Sequence, residues 1–285
     1  MKNKIYLNIK ILFAAVAVII ASITYVIFFQ VGEAESFDND GISRAVIIDQ
    51  LYEDIPNDSF HDEAKKYLET AGYEVDIFTT KDVTVDFYKK LPQMNYKYIV
   101  IRTHGTDDKA DNDVVLFTGE KYSEDHYISE QLFGQVKKAT PLLEIAYSPS
   151  GSLSDWVIVN DTYRYQKNSV ATQETAEHEY FAISPKLVKD LMNGKFDDTT
   201  FVLGGCKTLA NPSFAASLIN RGASTVVGWD NTVANIDNDR AILLFLKYNL
   251  IEQYDMVKTL DMIHTNVNPI YMPYPANFLH FDRFS

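Results

Sequence analysis

The sequence predicts an α/β fold, a three-layer αβα sandwich around a mainly parallel sheet. Short β-branched runs recur along the chain, RAVII at Arg44–Ile48, YEVDIF at Tyr73–Phe78, KYIVIRT at Lys97–Thr103 and the stretch ending FVL at Leu203. Near-continuous apolar runs of this length suit strands covered on both faces. Helical patterns separate them at the spacing of parallel βα units. Finally, Phe201–Asp230 reads as a complete βαβ unit: strand, Gly-Gly-Cys turn, helix, Gly222 stop, and a strand closed by Gly-Trp-Asp.

In chain order, RAVII gives the first strand, ending at Asp49. A helix over about 59–71 follows, with Asp58 or Ser59 as cap, Phe60, Ala64, Tyr67, Leu68 and Ala71 on one face, and Gly72 as stop. YEVDIF is the second strand, Asp82–Leu91 a short helix ended by Pro92, and KYIVIRT the third strand. Thr106–Asp113 reads as a solvated turn before a strand at Val114–Phe117, and Glu130–Lys138 as an amphipathic helix. Residues at about 141–183 read as an inserted loop region containing a strand at Trp156–Val159. Ser184–Met192 forms a helix with Pro185 in its first turn. After the βαβ unit, Asp237 caps an apolar helix to about Tyr248, another helix spans about 254–264, and the tail is rich in Pro and aromatics. Residues 44–285 thus form one α/β domain.

Ile11–Phe29 is 19 residues without a charge, long enough to cross a hydrocarbon core as a helix. It reads as a retained transmembrane anchor, with an uncleaved or cleaved signal as the other reading. Residues 1–10 carry Lys2, Lys4 and Lys10, and the acidic linker 30–43 carries Glu33, Glu35, Asp38 and Asp40. The lysine bias predicts a cytoplasmic N-terminus and an extracytoplasmic domain, with the lipid bilayer as a partner.

The formal charge is −13, and residues 1–30 hold three lysines and no acid, so the rest is more acidic still. Such a body repels phosphates and has no basic, aromatic-interleaved patch, which argues against nucleic acid. No Gly-x-Gly-x-x-Gly or Walker pattern follows any strand, so no nucleotide cofactor is expected. Asp107, Asp108, Asp111 and Asp113 cluster after the third strand; beside the solvated-turn reading stands a calcium loop, although EF-hand spacing is absent. The oligomeric state is left open by the sequence.

One cysteine, Cys206, occurs in 285 residues, at the end of the strand FVL. His104 follows KYIVIRT in the same way. In open parallel sheets, ligands bind outside the carboxyl ends of the strands. An imidazole beside a thiol there lowers the thiol's pKa and supplies the proton for a leaving amine. A lone cysteine is otherwise a small buried hydrophobe, and the strand-end histidine is what favours chemistry.

Strand then His-Gly (IVIRTHG), strand then Gly-Cys (FVLGGC), and a helix ending Arg-Gly-Ala before a strand ending Gly-Trp (NRGASTVVGWDNTV) together resemble the caspase-like clan CD cysteine peptidases, CHAT and gingipain-type members in particular. The likeness covers about residues 44–250. It implies a peptide or protein substrate, His104 as general base and acid, Cys206 as nucleophile, and the backbone N–H groups of Gly105 and Cys206 as oxyanion hole. The interval from His104 to Cys206 exceeds the caspase interval of about 50 residues, and the Gln-Ala-Cys pattern is missing. Where caspases follow their Trp with an arginine that holds an acidic side chain, this chain has Trp229 and Asp230. That exchange implies preference for a basic residue before the scissile bond, with Asp49 as a second pocket wall. Arg164 and Lys167, in the inserted region, would then be self-processing sites. Two other readings are a peptidase-like binding or scaffold module without turnover, and a cysteine-dependent hydrolase of a non-peptide acyl or amide substrate.

Overall fold

The computed structural model describes residues 43–108, 111, 113–141, 156–159, 162–165, 179–267, 270–271 and 274–283. The apolar run 11–29 and the linker lie outside these residues. Among the described residues no helix is long and apolar enough to cross a membrane. Residues 41–285 form one compact unit.

The protein is α/β with a mainly parallel sheet. Strands β1 (Arg44–Asp49), β2 (Glu74–Thr79), β3 (Tyr98–Arg102), β10 (Thr199–Gly204) and β11 (Ala223–Trp229) run parallel in the order β11-β10-β3-β1-β2. After a two-residue antiparallel pair, β12 (Ile270–Tyr271) and β13 (Tyr274–Pro275), strand β14 (Phe278–Asp282) closes the β11 edge antiparallel. The pleat sends alternate residues to opposite faces. On β3, Ile99 and Ile101 join one apolar cluster while Tyr98 and Val100 join the other.

The first cluster is covered by helices α2 (Val85–Lys90), α4 (Pro185–Asp190) and α5 (Ser213–Asn220). The second is covered by α1 (Asp58–Thr70), α6 (Asn235–Leu246) and α7 (Met256–Asn266). Helix starts follow local chemistry. Asn57 caps α1 by accepting from the Phe60 N–H, one residue before the expected cap, and Ser184 and Asp255 cap α4 and α7 in the same way. Asp237, expected as a cap, lies inside the first turn of α6. Pro92 sits in a 3-10 turn that extends the helix it was expected to end.

A second sheet departs from the sequence reading. Strand β4 (Gly105–Asp108) pairs antiparallel with β5 (Asp113–Lys121), which pairs with β9 (Tyr180–Ile183), and β9 with β6 (Val136–Ala139). The turn expected at 106–113 is therefore a hairpin. The helix expected at 130–138 is instead a short helix α3 (Ile128–Leu132) followed by β6. The inserted region contributes the hairpin β7 (Trp156–Val159) and β8 (Thr162–Tyr165), and ends in β9 rather than remaining a loop.

Candidate functional site

Strands β3 and β10 are hydrogen-bonded neighbours in register, Leu203 opposite Ile101 and Gly204 opposite Arg102. The Thr103 N–H then bonds the Gly204 carbonyl at 2.8 Å. His104 and Cys206 each stand two residues beyond the last paired rung. Both turns are built backbone against backbone: a Cβ on Gly105 would overlap the Cys206 carbonyl oxygen, and one on Gly205 would overlap the Thr103 carbonyl. The glycines beside His104 and Cys206 are therefore required by close approach.

Cys206 is half-buried at the edge of the α1/α6/α7 cluster. Its Sγ lies 3.4 Å from both the N–H and the carbonyl of Val233, just ahead of the N-terminus of α6. The thiol thus donates to that carbonyl and accepts from that N–H. His104 is also half-buried. Its ring meets Phe117 edge-on with centroids 5.5 Å apart. Its N–H donates to Gln50 Oε1 at 3.1 Å and its carbonyl accepts from the Phe117 N–H at 3.0 Å. The amides of Gly105 and Cys206, expected to face an oxyanion, belong to this same junction.

The turn after Cys206 is stitched to the end of β11. Lys207 adopts a left-handed conformation with φ of 58° and donates its N–H to the Asn231 carbonyl. Thr208 Oγ1 accepts from the Trp229 N–H, and the Leu209 N–H bonds the Trp229 carbonyl. Lys207 Nζ reaches Asp107 Oδ1 at 2.6 Å, which ties the cysteine turn to the hairpin that follows His104.

Two expected pocket walls take other roles. Trp229 is 1 % exposed, donates its Nε1–H to Asn238 Oδ1 at 3.0 Å and packs on Phe278, so it holds α6 and β14 to the sheet instead of facing a ligand. Asp49 is fully buried. Its carboxylate accepts from Arg102 Nη1 at 3.0 and 3.2 Å, from the Leu51 N–H at 3.0 Å, and meets His61 Nε2 at 2.8 Å. A buried carboxylate so engaged presents no surface to a substrate. Asp230 is partly exposed and accepts from the backbone and side-chain N–H groups of Asn277 at 2.7 and 2.8 Å.

The acidic cluster turns to lysines. Asp107 pairs with Lys207, Asp108 with Lys137 at 3.0 Å, and Asp111 with Lys137 and Lys186 at 2.6 and 3.3 Å. These ammonium groups hold the Asp111 carboxyl below its ordinary pKa. Asp113 starts β5 opposite Asp108. Among the described residues no cluster of three carboxylate, histidine or cysteine side chains has metal-binding geometry. Arg164 lies in β8 opposite Val157, and Lys167 falls outside the described residues.

Three residues that support the site went unread in the sequence. Gln50 accepts from Thr103 Oγ1–H as well as from the His104 N–H, both at 3.1 Å. Arg102, fully buried, bridges Asp49 and Asp239, the latter through Nε at 2.8 Å. Burial pulls its pKa down, but Asp239 and Asp49 outweigh that and hold it above the ordinary value. A charge closing the apolar strand YIVIR was the signal for it. Lys207 carried no signal, because its partner lies on a separate strand. Comparison of the chain with protein-family models and with curated proteins gave no match in either.

Proposed function

We propose that the domain is a cysteine endopeptidase of caspase-like architecture, with Cys206 as nucleophile and His104 as its acid–base partner. The observation that carries this reading is the register of β3 and β10, which leaves the two residues just beyond adjacent strand ends, with Gly105 close against the Cys206 carbonyl and Gly205 against that of Thr103. In the reaction, the Cys206 proton passes to His104 as sulfur bonds to the scissile carbonyl carbon. The C–N bond then breaks and His104 returns that proton to the leaving amine. Water, deprotonated by His104, cleaves the thioester, releasing a carboxylate and restoring the thiol. Backbone amides of Gly105 and Cys206 would stabilise the oxyanion. Asp230 and the acidic surface favour substrates with Arg or Lys before the cleaved bond.

On this reading the run 11–29 anchors the enzyme with its domain outside the cytoplasm, and alkaline carbonate extraction of membranes tests the anchor. The enzyme reading is tested by labelling the full-length protein in detergent with lysyl, arginyl and aspartyl peptide acyloxymethyl ketones. Adducts on Cys206 that disappear in His104→Ala are expected, fastest for the basic peptides. Equal labelling in His104→Ala would remove the dyad. A faster aspartyl reagent would remove the basic preference.

A further inference from the structure

A groove of about 510 Å³ runs between α1 and α6, beside the Cys206–His104 junction. We propose that it is the subsite for a bulky apolar side chain of the polypeptide being cleaved, an inference that rests on the peptidase reading and adds a second specificity element to it.

The position supports this. Asn235 lines the groove and lies two residues after Val233, whose backbone touches Cys206 Sγ. Arg102 lines its floor and lies two residues before His104. The groove therefore begins two residues from each side of the Cys206–His104 junction, within reach of an upstream side chain of a polypeptide whose carbonyl meets the sulfur.

Its chemistry selects the occupant. The walls are mostly apolar, Ile55, Ile236, Leu243 and Leu244, with Glu63 and Arg240 also in the lining, and Ile236 is 64 % exposed although it lies on a helix packed against the core. The charges on the floor are satisfied within the protein, since Arg102 and Asp239 are bonded to each other at 2.8 Å and Asn57 Nδ2 donates to Asp239 Oδ2 at 2.8 Å. A charged side chain entering here would lose hydration against a largely apolar lining and a floor already neutralised. An aliphatic or aromatic one would gain from burial. The volume falls within the range of ligand-binding clefts.

The test uses full-length protein and a set of fluorogenic octapeptides that share one cleavage residue and vary one upstream position among Leu, Phe, Lys and Asp. The wild type is expected to favour Leu and Phe at one such position. Ile236→Asp should lower kcat/KM for those peptides by about tenfold, mostly through KM, the scale of one apolar side chain's discrimination. Alkylation of Cys206 by iodoacetamide, which is too small to reach the groove, should keep its rate. Val257→Asp, an equally exposed site on α7, should change neither. Fluorescence polarisation of the same peptides on Cys206→Ala reads binding apart from turnover, and Ile236→Asp in that background should weaken it similarly. An apolar preference that survives Ile236→Asp, or no upstream preference at all, overturns the groove and leaves the peptidase standing. Absence of cleavage with alkylation indifferent to His104 overturns the peptidase and the subsite with it.

Discussion

Gln50 Oε1 receives the backbone N–H of His104 at 3.1 Å, so the turn that carries the imidazole is held from the end of β1 by a fully buried amide. Gln50→Leu keeps much of the volume and removes the acceptor. It takes the side-chain acceptor from the His104 N–H, while the Thr103 hydroxyl keeps the His104 and Phe117 carbonyls within reach, at a cost of about 1–3 kcal/mol. Urea unfolding measures the loss. Peptide turnover should fall beyond what the unfolded fraction explains, because the imidazole is no longer set. Unchanged turnover per folded molecule would show that His104 does not depend on this contact.

Arg102 bridges the carboxylates of Asp49 and Asp239. Arg102→Met removes the guanidinium they share, leaving Asp49 with His61 and the Leu51 N–H and Asp239 with Asn57, and should cost about 3–5 kcal/mol. The triple variant Arg102→Met, Asp49→Asn, Asp239→Asn should recover a large part of that loss, since replacing a buried ionic group entirely is far less costly than halving it. Thermal and urea melts of the two variants compare them directly.

Burial raises the Asp237 carboxyl above its ordinary pKa of 3.8, with Arg240 opposing. The unfolded chain releases this proton first as pH rises. Stability therefore declines from about the ordinary value up through the raised folded one, and stays lower above it. Asp237→Asn should be more stable than wild type at pH 7 and show no advantage at pH 3. Melting curves at both pH values check the sign.

Lys207 and Asp107 are each about one-third exposed, 31 % and 34 % by side chain. A double-mutant cycle with Lys207→Ala and Asp107→Ala should give a coupling of only about 0.2–1 kcal/mol, weakening in salt. Iodoacetamide alkylation of Cys206 should accelerate in Lys207→Ala, because the turn loses its tie to the hairpin.

Cleavage at Arg164 or Lys167 by the protein itself would separate the two halves of the inserted region. Intact-mass measurement of wild type after incubation should show fragments that Cys206→Ala lacks. Matching intact masses would dismiss self-processing.

The central sheet was legible because its strands are buried on both faces, and Ile99–Ile101 or Phe201–Leu203 can be little else. The second sheet was not. Strand β4 reads Gly-Thr-Asp-Asp and β6 reads Val-Lys-Lys-Ala, both half-exposed; β4 pairs with β5, while β6 finds its partner in β9, about forty residues further on. The strand ends bearing His104 and Cys206 could be read from apolar runs that stop at glycine. The fate of Asp49 and Trp229 could not, since Arg102 and Asn238 reach them only through tertiary packing. The groove between α1 and α6 likewise arises from two helices far apart in sequence.

Strand β11 finds its outer partner only in Phe278–Asp282. While the chain is being synthesised, that flank of the sheet must wait, open and apolar, until those residues leave the ribosome. A stalled or nicked nascent chain would therefore offer a strand template to its neighbours beside the half-finished cysteine turn, a point at which a chaperone has reason to intervene.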